Sequence, residues 1–170
     1  LLSAGFGDIP AVTVHFSDEK LNYQPGFQIS KKKLARLGLL GALLSDSIMQ
    51  FHQATEVREK KKGSTQKLTE RCLDRMSKMI TGELKTTHLA LLREAVDEFN
   101  RIETHDGDYP AVGFVGEIYV KYNPFANFRM CDWLKDKGIE VVIPPMVDFF
   151  TQGLINTREN HKANMQRSNK

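Results

Sequence analysis

Residues 110–145 read PAVGFVGEIYVKYNPFANFRMCDWLKDKGIEVVIPP, and this stretch decides the fold. Its first part, Pro110 to Val120, has apolar residues on both alternating faces. A strand that is covered on both sides is typical of a parallel sheet. Ile139 to Ile143 is a second apolar run, and Pro144 and Pro145 end it. The pattern predicts two buried parallel strands.

The residues between these strands predict a helix. Asn123 is a suitable N-cap, and Pro124 stands where a proline is tolerated in the first helical turn. We expect the helix to run to about Lys137 and to end at Gly138. Its inward positions are Phe128, Cys131 and Leu134. The unit is therefore βαβ, with a right-handed crossover, and Met146 begins a further helix.

The first thirty residues predict another strand of the same core. Leu1 to Ala4 resemble the last turn of a helix that stops at the following glycines, and Pro10 to Phe16 is β-branched and strand-like. Residues 17–29 are typical of a loop. We therefore expect the chain to be an interior segment cut from a longer αβ pattern.

Three helices are predicted between residues 31 and 105. Ser30 is a suitable cap for the first, which we expect to be deeply packed. Its apolar positions recur at spacings of three and four and are Leu34, Leu37, Gly41, Leu44, Ile48 and Phe51. Leu39, Leu40 and Leu43 widen this apolar stripe. The second helix follows a charged break at residues 59–64. Its inward-facing residues are Leu68, Cys72, Leu73, Met76 and Met79. The third, at about residues 83–102, uses Leu84, Leu92, Val96 and Phe99.

These elements predict an α/β fold: a partial Rossmann-like parallel sheet with a three-helix insertion, as a fragment of a larger domain. Residues 1–30 supply the first strand and loop, and residues 31–105 form the helical insertion. Residues 106–160 form the βαβ unit with its following helix, and residues 161–170 form a polar tail.

Composition indicates a cytoplasmic protein. No run approaches the roughly 18 consecutive apolar residues of a membrane span, so we expect no membrane partner. Two cysteines, Cys72 and Cys131, cannot make a disulfide framework. The net charge of +3 is modest, and lysine runs such as Lys60–Lys62 are typical of solvated helix ends, so we expect no nucleic-acid partner. Metal-binding, P-loop and nucleophile-elbow motifs are absent, which leaves the catalytic residues unknown and predicts no metal site.

The candidate ligand-binding residues are Glu117, Lys121, Asn123 and Asn127. In open parallel sheets, ligands bind beyond the carboxyl ends of the strands. Glu117 and Lys121 project from one face if the strand continues to Val120. Glu117 then contacts a ligand or transfers a proton, or it fixes a neighbouring loop. Asn123 is also explained by capping alone.

The segment Val115–Asn127, together with Gly138–Pro144 and Asp148–Phe150, resembles the 2-hydroxyacyl-CoA dehydratase and CoA-enzyme-activase family. It is similar to the dehydratase-subunit-like region of the long fused 2-hydroxyglutaryl-CoA dehydratase activator-type proteins. The motifs that carry the resemblance are Gly-Glu-Ile-x-Val-Lys at residues 116–121 and Pro-x-Ala-Asn at residues 124–127. The likeness extends to Ile9–Val12 and Asn22–Phe27, and the three-helix middle carries little of it. Asn123 departs from the pattern, in which a histidine often precedes the proline.

The resemblance implies a non-catalytic fragment of an iron–sulfur, ATP-dependent protein of anaerobic metabolism. In that family, an ATP-hydrolysing activator passes an electron to a dehydratase that holds [4Fe-4S] clusters. The cluster cysteines and ATP motifs would lie outside this segment, so no cofactor is expected within it. The segment would scaffold a cluster or acyl-CoA cleft, with the remaining domains of the parent chain as partners.

Two alternatives remain open. One is a CoA- or phosphate-binding module without chemistry, favoured by Lys121 and the predicted helix start at Asn123. The other is a protein-interaction scaffold whose lysine-edged helices dock onto the rest of the parent protein.

Overall fold

A computed structural model describes residues 30–149 and 151–152. The chain divides after residue 40 into two compact units, of which the second holds most of the described residues. In chain order the elements are α1 (Lys31–Glu56), α2 (Ser64–Thr81), α3 (His88–Asn100), β1 (Ala111–Gly113), α4 (Ile118–Tyr122), α5 (Met130–Asp136) and β2 (Glu140–Val142). Residues 146–149 are again helical, as the sequence predicts.

The ends of the three long helices follow local chemistry. The Ser30 Oγ accepts a hydrogen bond from the Lys33 amide at 3.4 Å, so Ser30 is the cap that the sequence predicts for α1. Gly63 and Gly82 flank α2 with φ values of 84° and 88°, which side chains other than glycine rarely adopt. The Thr87 side chain caps α3 by accepting from the Ala90 amide at 3.2 Å. Neighbouring residues specify the break between α1 and α2 and the break between α2 and α3, so the sequence alone could place both.

The core lies where α1, α2 and α3 meet. Ile48 is fully buried, and the Phe51 and Phe99 rings pack with their centroids 5.8 Å apart at 59°. The buried cluster consists of Ile48, Leu68, Cys72, Leu91, Ala95 and Phe99. Leu73, Met76 and Met79 pack against it half-buried. The inward face predicted for α2 is confirmed.

The expectation that α1 is deeply packed is wrong for three of its leucines. Leu34, Leu39 and Leu43 are 41%, 53% and 45% exposed. Leu43 points away from the face that carries Ile48. On α3, Val96 was predicted to face inward but is 38% exposed, because the helix turns Leu91, Ala95 and Phe99 to the core instead.

Strands β1 and β2 pair in parallel, as the sequence predicts. Ala111, Val112 and Gly113 lie opposite Glu140, Val141 and Val142. Each strand has only three residues, and all three residues of β1 are exposed. The expectation of two strands buried on both faces is therefore wrong for β1. The fold is mixed helix and strand with a small parallel sheet.

The strand predicted to reach Val120 ends at Gly113 instead. Gly116 has a φ of 150°, which turns the chain out of strand geometry. The Glu117 carboxylate then accepts from the Val120 amide at 3.3 Å and caps α4. Residues 118–122 are helical although they are rich in β-branched and aromatic side chains, since the cap and the turn override strand propensity.

The single helix predicted for residues 124–137 is shorter and begins later. Residues 124–129 form turns, and α5 starts at Met130. Phe128 and Arg129 both have positive φ, 53° and 54°, which breaks the helix. Phe128, predicted to face inward, is consequently 90% exposed. The predicted stop at Gly138 is confirmed, with a φ of 72°.

The predictions for residues 1–29 and for the polar tail lie outside the described residues. Among the residues that are described, one helical segment, Lys32–Glu56, meets the length and hydropathy of a membrane span. Length and composition alone decide that test. The same segment carries Leu44 and Ile48, which are 2% and 0% exposed.

We predict that Leu91→Ala lowers the free energy of unfolding by about 2–4 kcal/mol, because it leaves a cavity in the three-helix core. Leu89→Ala on the same helix is the matched control, since Leu89 is 58% exposed and its truncation should cost less than about 0.5 kcal/mol. Urea denaturation followed by circular dichroism measures both. Equal losses in the two variants would contradict the position of the core.

Candidate functional site

The carboxyl ends of β1 and β2 define the first candidate site. Here α4 lies against the segment that follows β2, because the Tyr122 hydroxyl donates a hydrogen bond to the Pro144 carbonyl at 3.0 Å. Ligands of parallel sheets bind at this edge. We call it the carboxyl-edge site and define it by Glu117, Lys121, Tyr122, Asn123 and Asn127. It contains all four residues predicted to bind a ligand.

Within this site, Glu117 is an N-cap and not a strand residue. Its carboxylate accepts from the Val120 amide, and its carbonyl accepts from the Lys121 amide at 2.9 Å. The prediction that Glu117 and Lys121 project from one strand face is therefore wrong, since the two residues lie on the first turn of α4. Glu117 therefore caps its own helix, which is a structural role but not the neighbouring-loop contact that the sequence left open.

The Lys121 side chain is 9% exposed, which is unusual for a lysine. Its ammonium lies 5.3 Å from the centroid of the Tyr122 ring, a distance typical of a cation–π contact. Among the described residues, no carboxylate pairs with it. Lys121 is thus the charged group of this site that is left for an anionic oxygen.

The two asparagines organise the turn that follows α4. The Asn123 Oδ1 accepts from the amides of Phe125 at 2.9 Å and Ala126 at 3.4 Å, so it caps this turn. The Asn127 Nδ2 donates to the carbonyls of Val120 at 3.2 Å and Lys121 at 3.4 Å, which ties the turn back onto α4.

Asn127 is 8% exposed, and its Oδ1 is a buried acceptor with no hydrogen-bond partner in the described part of the chain. A buried amide oxygen left unpaired costs about 1–3 kcal/mol. The two hydrogen bonds that the Asn127 Nδ2 donates offset the free-energy cost of this unpaired oxygen.

Two carboxylates, which sequence reasoning missed, approach the same edge. The Asp46 Oδ2 accepts from the Val147 amide at 2.9 Å and so fixes the start of the helix at residues 146–149. Partial burial, reinforced by the nearby charges of Asp46 and Asp148, raises the pKa of Tyr122. The Tyr122 phenol consequently stays protonated and keeps its hydrogen bond to Pro144.

A second candidate site is an open groove of about 520 Å³ on the other side of the unit. Gly138, which precedes β2, lines it, so the groove lies at the amino end of that strand. Its charged lining residues are Glu56, Glu59, Lys62, Arg129, Asp132, Lys135 and Asp136. We call it the charged groove.

Most charges of the charged groove are already paired with one another. The Glu56 Oε2 lies 2.8 Å from the Lys135 Nζ and 3.0 Å from the His52 Nε2. Asp132 pairs with Arg129 at 2.7 Å and with Lys135 at 3.5 Å. The pair between Glu56 and Lys135 holds α5 against the end of α1.

The buried end of this network reaches α2. The His52 Nδ1 lies 2.8 Å from the Thr69 Oγ1, whose hydroxyl donates to the Thr65 carbonyl at 2.9 Å. Burial alone would raise the pKa of Glu56, but hydrogen bonds from His52 and Lys135 outweigh it and lower that pKa to about 2. Sequence reasoning missed this network, although the spacing of four between His52 and Glu56 is a helical pair.

Glu59 in the same groove is also fully engaged. Its two carboxylate oxygens accept from the amides of Gly63 at 2.6 Å and Thr65 at 2.7 Å, so it occupies the positive N-terminus of α2. Since Glu56, Glu59 and Asp132 are each paired within the chain, the groove mainly joins helices. The carboxyl-edge site is the better candidate.

Neither cysteine has the surroundings of a reactive or metal-binding thiol. Burial raises the pKa of Cys72, which packs in the three-helix core, and it also raises the pKa of Cys131. Within residues 30–149, no group of three or more His, Cys, Asp or Glu side chains is placed to hold a metal ion. Both thiols pack as small apolar groups.

We predict that Glu56 stabilises the fold above about pH 4.5 and that this contribution disappears as the pH falls through about 2. The sign follows because the folded pKa lies below the unfolded one, so protonation favours the unfolded chain. Glu56→Gln should lower the free energy of unfolding by roughly 1–3 kcal/mol near pH 5 and by little near pH 2.

The measurement is denaturant unfolding at each pH, with the exposed Glu103→Gln as the control variant. The control should match the native chain throughout. A Glu56→Gln deficit of the same size near pH 5 and near pH 2 would contradict the prediction.

The chain was compared with protein-family models, with curated proteins and with solved structures, and none of them matches it. The candidate sites therefore stand on the geometry of this chain alone. The resemblance to the dehydratase family stays a prediction from the motifs at residues 116–121 and 124–127.

Proposed function

We propose that this chain is a non-catalytic scaffold segment of a 2-hydroxyacyl-CoA dehydratase activator-type or dehydratase-like iron–sulfur protein. In this proposal β1 and β2 belong to a Rossmann-like parallel sheet. The carboxyl-edge site forms one wall of an acyl-CoA or cluster cleft, and other domains of the parent protein complete that cleft. The [4Fe-4S] clusters and ATP belong to those other domains.

The observation that carries the proposal is the hydrogen bond between Tyr122 and Pro144. It brings the family-like motif of residues 116–127 to the carboxyl edge of a parallel strand pair. In parallel sheets that edge is where nucleotide-type ligands bind. The motif thus lies where a cleft wall is needed.

The chemistry of the described residues favours a scaffold over a catalyst. The Glu117 and Asn123 side chains accept hydrogen bonds from backbone amides, and the Tyr122 hydroxyl donates to a backbone carbonyl. Lys121 is a cation that no described carboxylate pairs, and it can hold an anionic oxygen without transferring a proton. These side chains are consistent with a cleft wall that positions a ligand.

The apolar surface beside the site also supports a scaffold. Phe125, Phe128 and Trp133 are 86%, 90% and 55% exposed. Large exposed side chains of this kind mark surfaces that pack against another protein. We therefore place the remaining domains of the parent on this side of the βαβ unit.

The experiment is association of the tagged chain with the separately produced ATPase and cysteine-bearing domains of the same protein. We expect these domains to capture the native chain at micromolar concentration. The double variant Phe128→Ser plus Trp133→Ser should be captured at least about tenfold more weakly than the native chain. The control variant, Leu89→Ser plus Val96→Ser, removes exposed apolar residues of α3 and should bind normally. If the native chain is not captured, the scaffold proposal is wrong.

A second candidate function, a CoA- or phosphate-binding module, is favoured by the Lys121 ammonium, which pairs with no carboxylate among the described residues. Calorimetry with CoA should then give a heat that Lys121→Met abolishes, because this variant keeps the apolar stem and removes the charge. The exposed Lys137→Met is the control. No heat with the native chain would exclude this module as an independent function.

A further inference from the structure

The polar groups that the carboxyl-edge site offers to a ligand are covered in this conformation. Lys121 is 9% exposed, and the Asn127 Oδ1 is buried with no hydrogen-bond partner in the described part of the chain. Lysine is almost never buried without a pair, and buried acceptors are usually bonded. A ligand oxygen therefore reaches the Lys121 ammonium only after part of the site moves.

Residues 117–127, which we call the strap, form one internally bonded segment. The Glu117 carboxylate accepts from the Val120 amide at 3.3 Å, and the Asn123 carbonyl accepts from the Asn127 amide at 3.1 Å. The Asn127 Nδ2 donates to the Val120 carbonyl at 3.2 Å, which ties the last turn of the strap back to α4. These bonds allow the strap to move as a unit.

Backbone conformations that interrupt regular structure lie at both ends of the strap. Gly116, just before it, has a φ of 150°, and a Cβ placed there would meet nothing within 4 Å. Phe128 and Arg129, just after it, have φ values of 53° and 54°, which are unfavourable for residues with a Cβ. Hinges are short segments at the ends of elements that absorb changes in backbone angle. These two places are suited to be the pivots of the strap.

The second pivot has an alternative conformation in which its backbone is relaxed. The turn at residues 123–127 already contains a helical bond between Asn127 and Asn123, with Pro124 in the first-turn position. If Phe128 and Arg129 took helical φ values, this turn would continue into α5 as the single helix that the sequence predicts. That change removes two unfavourable φ values and swings the strap relative to α5.

The Tyr122 hydroxyl holds the strap in its present position. It donates to the Pro144 carbonyl at 3.0 Å, in the segment that follows β2. The Tyr122 ring also shields Lys121, whose ammonium lies 5.3 Å from the ring centroid. Within the described part of the chain, α4 packs extensively against no other helix or strand. The bond between Tyr122 and Pro144 therefore has a large share in keeping the strap closed.

We propose that the strap is a hinged cover of the carboxyl-edge site, with the hydrogen bond between Tyr122 and Pro144 as its latch. It pivots at Gly116 and at residues 128–129, and its opening uncovers Lys121 for an anionic oxygen of a ligand. The inference deepens the proposed function, because it supplies the gate of the same cleft wall, and it rests on that function for the ligand that enters. The movement belongs to this chain and is tested without a ligand.

The experiment measures how fast an amine-acetylating reagent modifies Lys121 in the full chain, with peptide mass spectrometry as the readout. The latch variant is Tyr122→Phe, which keeps the ring beside Lys121 and removes only the hydroxyl. Tyr119→Phe is the matched control, because Tyr119 lies on the same helix and is 61% exposed. The exposed Lys137 is the internal reference.

We expect Lys121 of the native chain to react at least about tenfold more slowly than Lys137, because the strap has to open first. Tyr122→Phe should raise the Lys121 rate about two- to tenfold, which is the effect of one hydrogen bond on the opening equilibrium. Tyr119→Phe should leave the rate unchanged. Amide hydrogen exchange in α2 should be the same in all three chains, since the three-helix core stays folded.

The outcomes separate the strap from the scaffold function. Equal Lys121 rates in the native and Tyr122→Phe chains would overturn the strap, and so would a native Lys121 that reacts as fast as Lys137. Faster exchange throughout α2 in Tyr122→Phe would also overturn it, because the lysine would then be reached by unfolding of the core. A faster Lys121 with normal α2 exchange supports the strap, even if the parent domains capture no form of the chain and the scaffold function is wrong.

Discussion

The side chains of the last eleven residues of α1 support the whole βαβ unit. Asp46 and Gln53 accept from the backbone amides of Val147 and Ile143, and Glu56 binds Lys135 of α5. Each bond satisfies a backbone or charged group that would otherwise be buried without a partner. Two strands of three residues cannot form a stable sheet alone, so their position depends on this polar face.

This attachment fixes the direction of the strand pair and thereby places the two candidate sites at its opposite ends. Gln53 and Asp46 bind beyond the carboxyl end of β2, whereas Glu56 binds near its amino end through α5. The open groove lies at the amino end, where most of its charges are paired within the chain. The polar edge with Lys121 and Asn127 lies at the carboxyl end, where parallel sheets bind ligands.

Local signals explain which features the sequence could predict. The break at residues 59–64, the Ser30 cap and the stop at Gly138 depend on neighbouring residues, and the structure has all three. The strand predicted through Val120 fails because a cap from Glu117 competes with β-branched propensity. The bond between Glu56 and Lys135 joins residues 79 apart, and no local pattern indicates it. The candidate site residues were chosen for a strand geometry that does not exist, and their role in binding stays a prediction.

The same comparison explains why the apolar pattern of residues 110–120 misled about burial. Such a run is typical of a strand covered on both faces, yet Ala111, Val112 and Gly113 are exposed. The burial falls instead on Val141 of β2, which is 3% exposed, and in part on Phe114 and Ile118, which are half-buried. An apolar run does not say which of its residues are packed, and here the turn at Gly116 and the Glu117 cap end the strand geometry that the burial pattern assumed.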